Sequence, residues 1–285
     1  MEIKLSKHIG YCKGVARVVR LAEKVMSMAA SEGKKAYCIG SLVHNDRIRM
    51  GFEMRGMEFI KTPEGHEKGI ALISAHGIPE SLERSFREAG FTIVDGTCNN
   101  IIINKQQILK RAQMGCCVVI IGIPGHSETL CLQGVELFPG VPVTSVLVSK
   151  PEDLNLIPLG FPIFVIGQTT FKKDEFLNLV SLIQSKFNNV VVQKSLCPSP
   201  LARQQQILSL CRSCDAVLVV GGVQSANTAA LADLSSSQGV KTFRLEHPDE
   251  IPEEVFSCSC VGVAAGSSTP AEEVDAIVKV LESHV

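Results

Sequence analysis

The sequence has almost no net charge: 28 Lys and Arg against 29 Asp and Glu give a formal −1 at pH 7. A nucleic-acid or membrane-surface partner that works through bulk electrostatics is therefore not expected. No uninterrupted apolar run reaches the about 18 residues that a bilayer-spanning helix needs, and the opening "MEIKLSKHIGYCKGV" is too polar for a secretory leader. A cytoplasmic protein is the expectation. An even cysteine count is also lacking. Eleven thiols in a reducing compartment speak against a disulfide framework. One C-x-x-C exists, Cys211 to Cys214, but no second pair stands at zinc-site spacing, and "CRSC" runs from the end of a helix into a strand. "GGVQSANTAAL" has neither G-x-G-x-x-G nor a Walker lysine, so a nucleotide loop is not expected there.

What is present is a chain of 285 residues, 45% hydrophobic, long enough for two or three small domains. Most of its cysteines read as small buried hydrophobes. Cys116 and Cys117 open the β-forming "CCVVIIG", and Cys258 and Cys260 lead into "VGVAAG". Cys12, Cys98 and Cys197 differ because they recur. "CNNIIINKQQILKRAQMGCCVVIIGIPGHSE" from Cys98 and "CPSPLARQQQILSLCRSCDAVLVVGGVQSAN" from Cys197 follow one plan: cysteine, helix, apolar strand ending in glycine, polar loop. Gly122 and Gly221 stand equally far from their cysteines, and the stretch from Cys12 to Gly40 repeats the plan with four extra residues.

The second halves match as well. "ALISAHGIPESLERSF", "IFVIGQTTFKKDEFLNLV" and "CVGVAAGSSTPAEEVDAIV" each read as strand, polar loop, then a helix with acidic residues in its first turn. "AGFTIVDGTC" and "FNNVVVQKSLC" are strands delivering the next cysteine, and "MEIKLSKHIGYC" can do the same for the third unit, closing a ring. The expected fold is α/β, with three pseudo-threefold-related units of short, mostly parallel sheet and flanking helices. Their bounds are 13–97, 98–196 and 197–285, the last completed by an N-terminal strand within 1–12.

Each recurring cysteine thus falls at a strand's C-terminal end, where open α/β sheets place ligands. Three units facing one axis would bring three thiolates together. Soft thiolates suit an iron–sulfur cluster, and three for a four-iron cubane leave one iron free for substrate. A catalytic zinc with three cysteines is the alternative. In the same register the polar loops align His44, His126 and Ser225, then Asp46, Glu128 and Asn227, and in the second loops His76, Thr169 and Ser268. Singly, such residues are common turn formers. As a ring of imidazoles, hydroxyls and an amide at helix starts they suit a small anion such as phosphate. Glu128 is the carboxylate best placed for proton transfer, and Asp46 is read as a helix cap.

In "GYCKGV", "LVHN", "SAHGIPESL", "VDGTC", "IIGIPGHSE", "QTT", "VVGGVQSAN" and "VGVAAGSSTP", in this order over nearly the whole chain, the sequence resembles the 4-hydroxy-3-methylbut-2-enyl diphosphate reductases, the LytB family. The resemblance implies a trefoil-like arrangement of the three α/β units around a central [4Fe–4S] cluster held by Cys12, Cys98 and Cys197. It also implies a diphosphate held by His44, His76, His126, Ser225, Asn227 and Ser268, with Thr169 and Glu128 orienting and protonating an allylic hydroxyl. The expected activity is reductive dehydroxylation to isopentenyl and dimethylallyl diphosphate, with ferredoxin or flavodoxin as electron donor. The chain departs from the family pattern at Asn99 and Asn100 after the second cysteine, at Ser127, and at Ala226. A diverged enzyme acting on another hydroxylated anion, or an iron–sulfur sensor, are the competing functions; a sensor has no use for Glu128 and the anion ring.

Overall fold

The computed structural model describes residues 1–43, 45–222 and 225–284, apart from the side chain of Ala226. Among them, three four-stranded parallel sheets carry the fold. The first runs Met57–Ile60, Lys35–Ile39, Gly69–Ile73, Thr92–Asp95 in spatial order. The second runs Ser145–Val148, Cys117–Ile121, Ile163–Gly167, Val190–Val192. The third runs Lys241–Leu245, Ala216–Val220, Cys260–Ala265, Glu2–Leu5. The last of these pairs Glu2 with Cys260 and Leu5 with Val263, so an N-terminal strand completes a sheet otherwise made from the C-terminal third. The three sheets share one order, and the α/β class expected from the repeats is what the chain adopts.

The reason lies in the strand sequences. The two central strands of each sheet, such as "CVVII" beside "IFVIG" and "AVLVV" beside "CVGVAA", are apolar at nearly every position and buried on both faces. Continuous apolar runs are what a parallel sheet covered by helices on two sides requires. In the third sheet Val217 and Val219 pack with Ile207, Leu210 and Leu231, while Leu218 and Val220 pack with Val274, Ile277 and Leu281. The fourth strands, "TIVD", "VVV" and "EIKL", are short and half exposed, as edges are. Between the first and third strands of each repeat the chain reverses its direction of travel across the sheet. The loops at the C-terminal ends of those two strands open the crevice where such folds bind ligands.

The chain divides into two compact units. One comprises Val18–Leu42 and Gly56–Cys197; the other comprises Met1–Arg17, Val43–Arg55 and Pro198–Val285. The larger holds the first and second sheets. Its two sheets are tied by Arg84, which donates two hydrogen bonds of 2.6 and 2.7 Å to the Glu136 carboxylate. That pairing, helped by the Gly140 N–H, holds the Glu136 carboxyl down at about 2. Close by, the Glu80 N–H donates to the Gly134 carbonyl at 3.1 Å.

Gly77, in the loop after Gly69–Ile73, has φ +72°, and a Cβ there would lie 2.5 Å from Cys131 Sγ. Both features exclude a side chain, one by backbone strain and one by overlap. Gly77→Ala is therefore expected to destabilise the protein by roughly 2–4 kcal/mol, measured by denaturant unfolding of the apoprotein. A loss below about 0.5 kcal/mol would mean that the loop relaxes freely.

Candidate functional site

Each recurring cysteine directly precedes a helix. Cys98 is the N-cap of Asn99–Gln113, Cys12 comes before Lys13–Glu32, and Cys197 before Pro198–Cys211. The backbone N–H of each is held by the loop that follows the third strand of its own sheet. Cys98 donates to Ala75 O at 3.0 Å, Cys197 to Thr169 O at 2.7 Å, and Cys12 to Ser267 O at 3.0 Å. Three repeats thus present their thiols by the same local construction. The sulfurs are half exposed and receive donors at these helix starts: Val15 N–H to Cys12 Sγ and Asn100 Nδ2 to Cys197 Sγ, both at 3.5 Å. Cys98 and Cys197 belong to the larger unit, Cys12 to the smaller.

The remaining thiols are placed differently. Cys211 faces Ser235 Oγ at 3.3 Å, whereas Cys214 meets Cys260, sulfur to sulfur, at 3.5 Å. The two members of "CRSC" therefore have separate partners, and burial, then the Cys260 contact, pushes the Cys214 thiol up to about 11. A thiol raised in this way is a packing group and a poor nucleophile.

In the larger unit, His126 caps the helix Ser127–Gln133, its Nδ1 accepting from the Glu128 N–H at 3.1 Å. A ring whose Nδ1 accepts carries its proton on Nε2 when neutral, so that edge is a donor. The His76 ring stands edge-on to it, centroids 5.7 Å apart. Glu128 is 1% exposed. Its Oε1 accepts from the Thr169 N–H at 2.6 Å and its Oε2 from the Thr169 hydroxyl at 2.8 Å. Burial raises the Glu128 carboxyl to about 7, against the two Thr169 hydrogen bonds, which pull it down. Desolvation wins, and near neutrality the carboxyl keeps a proton for much of the time. Gln168 braces the same two loops: its Oε1 accepts from the Ile123 N–H at 3.0 Å and the Thr129 hydroxyl at 3.2 Å.

In the smaller unit, Ser225 caps Ala226–Ser237, its hydroxyl accepting from the Thr228 N–H at 3.3 Å. Asn227 Nδ2 is buried with no hydrogen-bond partner, as is Thr228 Oγ1. Buried amides are nearly always paired, and this one stands at the start of the helix Ala226–Ser237, where a donor is suited to an anion. Ser268, 5% exposed, gives its carbonyl to Asn45 Nδ2 at 3.1 Å. The Asp46 cap is corrected here. Asn45 is the N-cap of Asp46–Met54, its Oδ1 accepting from the Arg47 and Ile48 N–H groups, and Asp46 is the first helical residue. Asn45 accepts through Oδ1 and donates through Nδ2 to Ser268, a donor that a carboxylate lacks. His44 lies outside the described residues.

The contacts of two groups here could not be read from the sequence, although Asn100 stood out as a departure from the family pattern. Arg203, 4% exposed, donates to the carbonyls of His8, Gly10 and Ala265 and so ties down the segment that leads to Cys12. Asn100 reaches the Cys197 sulfur from another repeat. In sequence both are polar residues of a helix, and only the partner brought up by the fold gives them a role.

Fold and site together define a triplicated α/β protein with a strand-end thiol in each repeat and one buried carboxyl–hydroxyl pair. The model of the family described as LytB protein matches residues 3–282, so the chain belongs to the LytB family, a family of iron–sulfur enzymes. The chain is 29% identical to the 4-hydroxy-3-methylbut-2-enyl diphosphate reductase of Oleidesulfovibrio alaskensis, over 99% of this chain and 100% of that one. It is 27% identical to that of Alkaliphilus oremlandii, over 98% of each. The solved structure of (E)-4-hydroxy-3-methyl-but-2-enyl diphosphate reductase, described as the terminal enzyme of the non-mevalonate pathway, superposes with a TM-score of 0.79 at 26% identity, covering 99% of this chain and 100% of that chain. The solved structure of the E-1-hydroxy-2-methyl-but-2-enyl-4-diphosphate reductase from Plasmodium falciparum shares the fold, with a TM-score of 0.84 at 24% identity over 98% of this chain and 87% of that one. The resemblance drawn from the motifs is borne out. Among the described residues no helix is long and apolar enough to cross a membrane.

Proposed function

We propose that this protein is a reductive dehydroxylase that converts (E)-4-hydroxy-3-methylbut-2-enyl diphosphate, two electrons and two protons into water and isopentenyl or dimethylallyl diphosphate. The observation that carries the reading is the Glu128 carboxyl, raised to about 7 by burial and gripped by Thr169 at a strand end. Hydroxide is a poor leaving group, and cleavage of the allylic C–O bond needs a proton on that oxygen. A carboxylic acid that stays protonated near neutrality has one to give. When Glu128 is protonated its O–H donates to Thr169 Oγ1, which frees the threonine hydroxyl to donate to the substrate oxygen. The pair can then pass a proton from Glu128 through the Thr169 hydroxyl to that oxygen.

Cys12, Cys98 and Cys197 would hold a [4Fe–4S] cluster. The donor set fits: three partly buried thiols outside any disulfide, each at a helix start, with N–H groups donating to the sulfurs of Cys12 and Cys197. A single zinc suits the reading less well, because it has no redox chemistry and could not supply the electrons that the C–O cleavage needs. When bound, the cluster supplies the electrons one at a time, drawn from a carrier such as ferredoxin or flavodoxin. The diphosphate falls to His44, His76, His126, Ser225, Asn227 and Ser268, with the orphaned Asn227 amide and the His126 Nε2–H as donors to it.

The test is anaerobic purification, cluster reconstitution, and turnover of the allylic diphosphate with a chemical reductant. Both diphosphate products are expected. An intact cluster with no product from this substrate would redirect the activity to another hydroxylated anion. Asn227→Ala is expected to weaken substrate binding by ~1.5–3 kcal/mol, roughly one to two decades in Kd, with the cluster spectrum preserved. Unchanged affinity by titration calorimetry would remove Asn227 from the anion site.

A further inference from the structure

We infer that Asn100 is a positioning residue for the Cys197 thiolate and raises the reduction potential of the cluster, an inference that rests on Cys197 being a ligand as proposed above. Asn100 is the second residue of the helix Asn99–Gln113, two residues after Cys98. Its amide reaches beyond that cysteine's repeat. Nδ2 donates to Sγ of Cys197, the cysteine of the next repeat, at 3.5 Å. The equivalent positions after the other two cysteines are Gly14, which has no side chain, and Ser199, which has only a short hydroxyl. The amide is therefore peculiar to one repeat, and the fold turns it onto a sulfur.

The consequence is electrostatic. A thiolate that ligates iron keeps lone pairs and much of its negative charge. Adding an electron to the cluster increases the charge on those sulfurs, so an N–H donor stabilises the reduced state more than the oxidised one. Hydrogen bonds to ligand sulfurs are among the levers that set cluster potentials. The amide also restricts the rotation of the Cys197 side chain, because the donor sits on a helix whose own first turn is fixed by the Ile101 and Ile102 N–H groups bonded to Cys98 O. Both effects belong to one contact, and both vanish with the donor.

The experiment uses the reconstituted holoprotein, its Asn100→Leu and Asn100→Asp variants, and Asn99→Leu as a neighbouring exposed control. Iron content is measured first, then a mediated redox titration is followed through the paramagnetic signal of the reduced cluster. Asn100→Leu removes the donor without adding charge. At a fixed potential its ratio of reduced to oxidised cluster is expected to fall ~3- to 10-fold, tenfold being about 59 mV for one electron. Asn100→Asp keeps the shape but offers an acceptor and a negative charge, so its ratio should fall further, and Asn99→Leu should match the parent. If Asn100→Leu fails to take up iron, the Asp variant gives the same comparison. A parental ratio in both Asn100 variants, with iron retained, overturns the inference while leaving the cluster reading standing. A parent that takes up no iron, or a Cys197→Ser variant that keeps it all, brings down the cluster reading instead, and the Asn100 inference with it.

Discussion

Glu128→Gln is expected to retain its cluster, bind the allylic diphosphate, and turn over at least ~100-fold more slowly than the parent, since a positioned general acid typically contributes ~10²–10⁴-fold. Glutamine preserves the shape and can still accept from Thr169, but it has no acidic proton. The measurement is steady-state turnover under anaerobic conditions together with substrate affinity. Turnover within a few-fold of the parent would pass the acid role to another group, such as the substrate's own diphosphate acting through Thr169.

The same substitution has a stability signature that needs no cluster. The folded carboxyl titrates at about 7, above its ordinary value of 4.5, so ionisation opposes the fold. The parent's contribution from this group is fully present below the unfolded value and is lost as the pH rises through about 7. Glutamine does not ionise. Relative to the parent, Glu128→Gln apoprotein should therefore gain stability progressively between pH ~4.5 and pH ~7, reaching about 3 kcal/mol on the alkaline side. Parallel stability–pH curves for the two proteins would show that Glu128 is not desolvated in solution.

The second large effect concerns the thiols. Anaerobically reconstituted parent should hold about four irons. Cys12→Ser, Cys98→Ser and Cys197→Ser should each abolish the cluster, because serine keeps the size but removes the soft thiolate donor. Cys211→Ser and Cys214→Ser should keep it, since those sulfurs face Ser235 and Cys260. Iron analysis and the visible spectrum decide the matter. Loss of iron from the Cys211 and Cys214 variants, with retention in the other three, would reverse the ligand assignment.

These expectations draw unequally on sequence and structure. The repeat was legible in the chain because a parallel strand covered on both faces must be apolar throughout, which makes "CVVII", "IFVIG" and "AVLVV" recognisable without a fold. The acidic first turns of Glu80–Glu88, Lys173–Lys186 and Ala271–Glu282 were legible for a local reason, the field at a helix start. Equal spacing from cysteine to glycine likewise reports local geometry, since a helix and a strand of given length return the chain to the same point.

Tertiary structure alone decided what each polar group meets. The sequence singled out Glu128 and Thr169 as separate loop residues, whereas their bidentate contact and the desolvation that makes an acid of Glu128 exist only once two strands stand side by side. Asp46 looked like a cap because Asp and Asn are nearly equivalent capping residues, and only the backbone showed that the helix begins at Asp46 itself, with Asn45 as its cap. The roles of Arg203 and Asn100 were hidden for a further reason. Their partners lie on segments remote in sequence, the carbonyls of His8 and Gly10 and the sulfur of Cys197, and a polar residue's role is set by its partner rather than its type. Periodicity and spacing, being local, fix elements and repeats; desolvation and hydrogen-bond pairing, being through-space, wait for the fold.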